Sequence, residues 1–599
     1  MSIAEVDPGI GHLGEVSAEL GDLLVSYLEQ LGVEYVFGIP GGAIEPLYNA
    51  LARSERRGGP RAIVARHETG AAFMADGYAR NSGKLGVCCA TTGPGATNLI
   101  TGVASAYENN VPMLVITAQT ALSTFGRGAF QESSCTGINT VGLFEYCTRY
   151  NTLVSHVAQF ENKLASAIMT AFQSPAGPAH LSVPLDVMRA KSDTKAPSYD
   201  LCNLLDKPSL VDDVAVASFY DDLVQANKPV FLIGDEASEA VGSILSLAVD
   251  LDAKLLVTPQ GKGLVSPYHP LFRGVIGFAG HKSARDLLAD PDVDLVVAVG
   301  TSLGEWASDG WDTESLLTKR LIHVESAEGN FTRTPMAKLH VRGHLPSIFE
   351  KLVKRFESDP KVKIKAVVDG AIDKTNQANC KPQYHFTLDD LKGYLSDATP
   401  IKPQRLMKEL SEIFPPNTHY LADTGSSFAW ATHYLHPYDR RMAGKRNANG
   451  GVFRATLDFA SMGWAIGSAI GTALVQKGSP VVCITGDGSI LMSGQEITVA
   501  IQEELPVVFV ILNDSGYGMV KHGQRMTGAE EIGFEMPKTD FASFGRAMGA
   551  EGHIIHSPED LLALDIQQIC NRKGPTVLDV RIDADEVPPI GVRTEVLVS

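Results

Sequence analysis

The sequence predicts an α/β protein of three doubly wound parallel-sheet domains. Length is the first reason: 599 residues exceed what one hydrophobic core serves, and about 150 residues per domain implies three or four units. Patterning is the second. Short apolar runs alternate with amphipathic stretches, as in a parallel sheet covered by helices. The third is that two polar, weakly periodic stretches divide those runs into three sets.

The first set, residues 16–188, has strands expected at 35–38, 62–65, 85–91 and 113–117. A stretch with Ser, Asp, Lys and Pro, 189–211, reads as a linker. The second set, 211–356, places strands at 229–234, 254–258, 295–300 and 320–324 and reads as a smaller Rossmann-like domain. Residues 357–401 are polar and charged and read as an extended linker. The third set, 402–583, places strands at 420–422, 481–485, 507–512 and 576–580, and 584–599 reads as an irregular tail. First and third sets are alike in length and style.

Composition narrows the function classes. The formal net charge of -18 argues against nucleic acid, which needs a Lys/Arg surplus on at least one face. Eight scattered cysteines, with Cys88-Cys89 the only close pair and no CxxC, indicate neither a zinc site nor a disulfide framework. The acidic start, MSIAEVDPGIGHLGE, is no secretory signal. The longest uncharged apolar stretch, 459–475, is Gly-rich and falls short of the roughly 20 residues of a membrane span. A cytoplasmic protein that meets no membrane is expected.

Chemistry concentrates in residues 481–519, VVCITGDGSILMSGQEITVAIQEELPVVFVILNDSGYGM. One apolar strand ends at Gly486-Asp487-Gly488-Ser489, a helix is expected over 494–504, and a second strand ends at Asn513-Asp514. In a βαβ unit both acids reach the carboxyl edge of the sheet, where such sheets bind ligands. Two carboxylates there suit Mg²⁺, and Gly488 and Ser489 can offer N–H groups to a phosphate. Asp and Ser also cap helices routinely, so GDGS alone would be an ordinary turn. The paired strand ends favour the metal.

This pattern resembles the thiamine-diphosphate and magnesium motif of the acetolactate synthase and pyruvate oxidase superfamily. The resemblance implies that Asp487, Asp514 and the carbonyl of Gly516 hold the metal, and that Gly486, Gly488, Ser489, Tyr517, Gly518 and Met519 line the coenzyme. Most members carry Asn at the position of Asp514, whereas NDSGYGMV looks like the fermentation-type version. A second segment, Arg66-His67-Glu68 through Ala79-Arg80, resembles the family's HE-x-G-A-x-x-M-A-D-G-Y-A-R. There a glutamate, here Glu68, hydrogen-bonds the aminopyrimidine ring and so activates a coenzyme that serves as electron sink. A lone His-Glu pair would be an unremarked helix start, and HExxH fails because Ala71 replaces the second histidine.

Further positions carry the same likeness. Gly93 and Asn98, in Thr92–Asn98, match the loop beside the coenzyme. Met462 matches the bulky residue that bends it, and Thr424, Gly425, Ser426 and Ser427 would help hold the diphosphate. Gly463, Gly467 and Gly471 share a helix face and favour close helix packing. Gly128–Glu132 resembles the AFQE segment of acetolactate synthases, in which Phe130 and Gln131 would line the pocket for the 2-oxo acid; the presence of Glu68 argues against glyoxylate carboligase. The likeness spans about residues 16 to 590. It implies sites completed between two subunits, in a homodimer or homotetramer. The implied reaction is decarboxylation of a 2-oxo acid such as pyruvate and transfer of the acyl-carbanion unit to a second carbonyl.

Departures leave alternatives open. Val299–Trp306 lacks the arginines with which biosynthetic members contact FAD and the second 2-oxo acid, and Gly523 stands where they carry tryptophan. These count against FAD and imply a larger, less cationic acceptor pocket. An aldehyde-accepting carboligase, a plain decarboxylase and a phosphate-dependent acetyl-transferring enzyme remain. From other classes, Gly300-Thr301-Ser302-Leu303-Gly304 matches the GxSxG elbow of αβ-hydrolases, and a cofactor-binding regulatory paralogue would have no need of Glu68.

Overall fold

The computed structural model describes residues 18–191, 196–206, 209–359, 383–437 and 452–591. Residues 1–17, 192–195, 207–208, 360–382, 438–451 and 592–599 lie outside the described residues. The first sheet contains β1 (Tyr35–Gly38), β2 (Arg61–Val64), β3 (Gly86–Ala90), β4 (Met113–Gln119), β5 (Tyr150–Leu153) and β6 (Pro178–Pro184), ordered β2-β1-β3-β4-β6-β5. The middle sheet contains β7 (Pro229–Ile233), β8 (Lys254–Val257), β9 (Phe272–Val275), β10 (Leu295–Val299), β11 (Leu321–Glu325) and β12 (Leu339–Arg342), ordered β12-β11-β10-β7-β8-β9. The third contains β13 (His419–Ala422), β14 (Phe453–Ala455), β15 (Val481–Gly486), β16 (Val507–Asn513), β17 (Glu551–Ile555) and β18 (Thr576–Arg581), ordered β14-β13-β15-β16-β18-β17.

All three sheets are parallel throughout. Counted within each sheet, the first and third share the order 2-1-3-4-6-5. The middle one runs 3-2-1-4-5-6, the order of dinucleotide-binding folds, with its switch point between β7 and β10. Expected strands are present in every sheet. The unforeseen ones are β5, β9, β12, β14 and β17, all at sheet edges, together with β6, an interior strand bounded by Pro178 and Pro184. Edge strands such as β5 and β17 are only partly buried and show no continuous apolar run.

The first and third sheets are joined through two helices, Glu68–Ser82 and Trp464–Val475, nearly all of whose residues are buried. Small residues let the backbones approach. A Cβ on Gly467 would lie 2.7 Å from Phe73 Cβ, and one on Gly77 or Gly471 would collide with the facing helix backbone. At that distance polar side chains bridge the helices: Ser468 Oγ donates to the Phe73 carbonyl at 2.9 Å, Trp464 Nε1 to Asp76 at 3.1 Å, and Asn81 Nδ2 to Thr472 at 2.8 Å. One core therefore runs from Phe73, Met74 and Tyr78 through Trp464 and Ile470 to Cys483 and Phe509, whereas the middle sheet has its own.

Residues 383–401 correct the expectation of an extended linker. Tyr394 lies in the core of the third domain, Tyr384 stacks on Tyr268 with ring centroids 5.1 Å apart, and Ile401 bridges to Ile582. Aromatic anchors spaced irregularly among polar residues hide such packing from a periodicity search. Among the described residues, no helix is long and apolar enough to cross a membrane.

Candidate coenzyme site

β15 and β16 pair in register from Val481↔Val507 to Gly486↔Leu512, so the turns that follow them open at one sheet edge. Asp487 is itself the first residue of the helix Asp487–Ser493. The helix expected over 494–504 is instead the tight turn Gly494–Glu496 followed by Ile497–Gln502. The Asp487 carboxylate accepts from Gly488 N at 2.8 Å and from Gly516 N at 3.1 Å, and the second bond ties the two turns together. Asp514 is its neighbour. Burial pushes both carboxyls above the ordinary range, and the charge of Asp514 raises Asp487 further. A divalent cation would reverse that penalty. Among the described residues no three His, Cys, Asp or Glu side chains meet in metal-binding geometry. The acid pair thus leaves most of an octahedron to backbone oxygen, phosphate and water, as Mg²⁺ prefers.

Around this pair stand hydroxyls without partners. Those of Thr424, Ser426 and Ser461 are buried and unpaired. An unpaired buried polar group costs about 1–3 kcal/mol, so three at one corner mark a place where a ligand supplies what is missing. Three helices begin here without side-chain caps, at Gly425, Gly486 and Tyr517. Beyond Gly425 and Gly486 the space is open, with nothing within 4 Å of a Cβ. Free N–H groups, idle hydroxyls and room together fit a diphosphate. Gly518 lies against both Asp514 Oδ2, 2.7 Å from its would-be Cβ, and Ser426 Oγ, 3.1 Å away. Tyr517 and Met462 close over Gly488, whose Cβ would meet them at 2.7 and 3.2 Å. Ser489 is buried in the same turn and Met519 packs partly against the core of the third domain. Ser427 departs from expectation, because its hydroxyl donates to the Asp423 carbonyl at 2.8 Å.

Glu68 opens the helix that follows β2 and is 8% exposed. Asn98 Nδ2 donates to its Oε2 at 3.0 Å, and a Cβ on Gly95 would stand 3.2 Å from its Oε1. One carboxylate oxygen is thus anchored while the other lies beside a residue with no side chain. The third domain supports this turn from beneath: Glu496 accepts from His67 N at 2.8 Å and Arg66 N at 3.2 Å. Burial pushes the Glu496 carboxyl up to about 7. The sequence reading missed Glu496. An acid in an otherwise apolar stretch was the only signal it offered.

The segment 128–134 docks on the turn at Gly93. Thr92 Oγ1 donates to the Gln131 carbonyl at 2.8 Å, Gly93 N donates to Ser133 Oγ at 3.3 Å, and a Cβ on Gly93 would stand 3.1 Å from Gln131 Cβ. Glu132, which the sequence placed in the AFQE-like segment without a role, accepts from Gly126 N at 2.7 Å, Ser134 Oγ at 2.5 Å and Thr136 Oγ1 at 3.0 Å; these bonds hold its carboxyl down to about 2. Gln131 therefore reaches the first domain's half of the site, while Phe130 is 87% exposed in the single chain. Among the described residues no hydrogen bond or ion pair links the Glu68 pocket with the Asp487 corner.

The middle domain supplies no elbow for a nucleophile. β10 leads into irregular turns rather than a helix, and the left-handed residues are Gly300, φ 60°, and Leu303, φ 50°, not Ser302. At its switch point the turns after β7 and β10 touch: a Cβ on Gly300 would stand 2.5 Å from Ala237 N. The β7 turn carries Asp235 and Glu236. Burial raises both carboxyls, Asp235 to about 6, and Glu325 raises Glu236 further.

Paired acids, unpaired hydroxyls and open space at the carboxyl edge of a parallel sheet are features of one class: α/β enzymes that work through a bound coenzyme. Comparison with known families makes the assignment specific. The chain belongs to the thiamine pyrophosphate enzymes, whose N-terminal TPP binding domain matches residues 18–138, central domain 216–352 and C-terminal TPP binding domain 423–580. The acetolactate synthase isozyme 1 large subunit of Escherichia coli is 28% identical over 96% of this chain and 97% of its own length. The isozyme 2 large subunit of the same organism is 30% identical over 96% and 98%. A putative acetolactate synthase large subunit of Mycobacterium tuberculosis is 30% identical over 96% and 99%.

Proposed function

We propose that this enzyme decarboxylates a 2-oxo acid, foremost pyruvate, and transfers the acyl-carbanion unit to a second carbonyl, an acetolactate synthase-like reaction. The observation that carries this reading is the set of unpaired hydroxyls around Asp487 and Asp514, which suits a diphosphate and its Mg²⁺. Thiamine diphosphate, when bound, supplies an acidic ring carbon and an electron sink. Asp487, Asp514 and the Gly516 carbonyl hold the metal. Thr424, Ser426 and the N–H groups beyond Gly425 and Gly486 face the diphosphate. Glu68, fixed by Asn98 at Oε2, would use its other oxygen, Oε1, to hold the pyrimidine ring. Gln131 and Phe130 line the substrate side, and the exposure of Phe130 favours a site completed by a second copy, in a homodimer or homotetramer.

Flavin has no part in this reading. A pyrophosphate at the β7–β10 switch point would meet Asp235 and Glu236 where dinucleotide-binding folds place glycines. Gly523, with nothing within 4 Å of a Cβ, supports a roomy acceptor pocket, which favours aldehydes as a second class of acceptor. Mass spectrometry of products from pyruvate alone, and from pyruvate with a panel of 2-oxo acids and aldehydes, tests the proposal. Acetolactate and carbon dioxide, formed only with thiamine diphosphate and Mg²⁺, are expected. Acetaldehyde as the sole organic product would make the protein a plain decarboxylase.

A further inference from the structure

Asp423 ends the apolar run of β13 and is fully buried, 0% exposed. Its Oδ2 accepts from Gly463 N at 2.9 Å and from Thr485 Oγ1 at 2.9 Å, and its Oδ1 from Ala465 N at 3.2 Å. A buried carboxylate is tolerated only when its lone pairs are filled. Two of the donors here are free N–H groups at the start of the helix Trp464–Val475. The third is on β15, two residues before Asp487. One side chain thus joins three separate stretches of chain.

What it fastens is the loop ahead of that helix. Gly463 has φ 87° and Ala460 φ 53°, so the chain turns sharply twice within four residues. Met462 rides on this loop, its Cε 3.2 Å from a would-be Cβ on Gly488. Gly488 N in turn donates to Asp487 Oδ1. The same Oδ2 therefore binds the residue after Met462 and the strand that delivers Asp487. No other described side chain makes hydrogen bonds to both.

We propose that Asp423 is a positioning residue: it sets the height of Met462 over the Gly488 turn, and through Met462 the shape in which the coenzyme is held. This rests on the reading of that corner as the coenzyme site. Asparagine at 423 would keep one acceptor oxygen and turn an NH₂ group toward backbone N–H donors, loosening the loop without removing volume.

The test compares wild type, Asp423→Asn, Met462→Ala and the double variant. Each is measured for thiamine-diphosphate affinity by fluorescence quenching, near-ultraviolet circular dichroism of the bound coenzyme, thermal midpoint, and kcat and KM for pyruvate. Asp423→Asn is expected to lower both coenzyme affinity and kcat ~10- to 100-fold, as removal of a supporting hydrogen-bond partner does. It should also change the dichroism of the bound coenzyme and leave KM for pyruvate in place. The double variant should be no worse than the poorer single one, because both act through one side chain. Additive losses, or a wild-type affinity and spectrum in Asp423→Asn, overturn the proposal. Should Asp423→Asn fail to fold, Thr485→Val removes one donor from the same oxygen. A milder loss that is again non-additive with Met462→Ala is then expected, and additivity there refutes it equally. A wild type that binds no thiamine diphosphate would instead sink the coenzyme reading, so the two failures are distinguishable.

Discussion

The outer two sheets repeat one strand order and share one core where their facing helices meet, while the middle sheet follows another order and lies between cores of its own. Their carboxyl edges are spent differently. In the third sheet the hydroxyls of Thr424, Ser426 and Ser461 stay buried and unpaired around open space. In the middle sheet several polar groups bond to one another and to neighbouring domains: Glu236 accepts from Asn110 at 2.9 Å and from Ser326 at 3.3 Å, and His323 bridges Thr334 and the Thr301 carbonyl, while Glu325 Oε2 and Gln260 Oε1 stay buried and unpaired. A strand order famous for nucleotides thus frames a joint between domains. Topology offers the place, and the polar groups left over decide whether anything binds there.

The contrast can be broken most forcefully at Glu68. Glu68→Gln should reduce turnover ~100- to 10,000-fold, the span typical of a lost proton-transfer or activating group, with fold and coenzyme affinity retained. Asp235→Asn, at the matching edge of the middle sheet, should leave turnover unchanged. Steady-state kinetics with a parallel coenzyme titration reads both, and equal losses would erase the distinction. Next in size is the shared core. Gly471→Val forces a side chain into the Met74 backbone and should destabilise by about 3 kcal/mol, at the upper end for overpacking, in denaturant unfolding.

A third measurement uses pH. The folded protein holds the Glu496 proton more tightly than the unfolded chain, since burial raises its carboxyl from 4.5 to about 7. Its stabilising contribution is therefore complete below about pH 4.5, fades as pH rises and is gone above about pH 7. Relative to Glu496→Gln, the wild type should lose at most about 3 kcal/mol across that window. Unfolding free energies of the two proteins at pH 5 and pH 8 check it, and a constant difference would contradict it. The smallest effect concerns flavin: added FAD should leave the rate and the visible absorbance of the purified enzyme as they were, and a flavin that copurifies and is required for turnover would refute the proposed exclusion.

Much of this was legible in one dimension. Interior strands such as β1, β4, β15 and β16 are buried on both faces and read as unbroken apolar runs, and the acids at their ends stand out against them. Apart from β2, edge strands did not stand out, because one flank faces solvent and admits polar residues. Glu68, Asp487 and Asp514 were found through local pattern. Asp423 and Glu496 were not, because their partners, Gly463 and Thr485 for the one and His67 and Arg66 for the other, follow no local rule that an apolar period would reveal.

The order of residues alone determined the parallel α/β class, the three sets of strands and the acids that meet at a sheet edge. Each follows from interactions between near neighbours in the chain, which periodicity and turn chemistry encode. Tertiary structure decided which hydroxyls were left without partners, that the helices carrying Gly77 and Gly471 touch, and that one buried carboxylate joins Met462 to the strand before Asp487. Those outcomes depend on close packing between segments tens to hundreds of residues apart, where a displacement of an ångström makes or breaks a hydrogen bond.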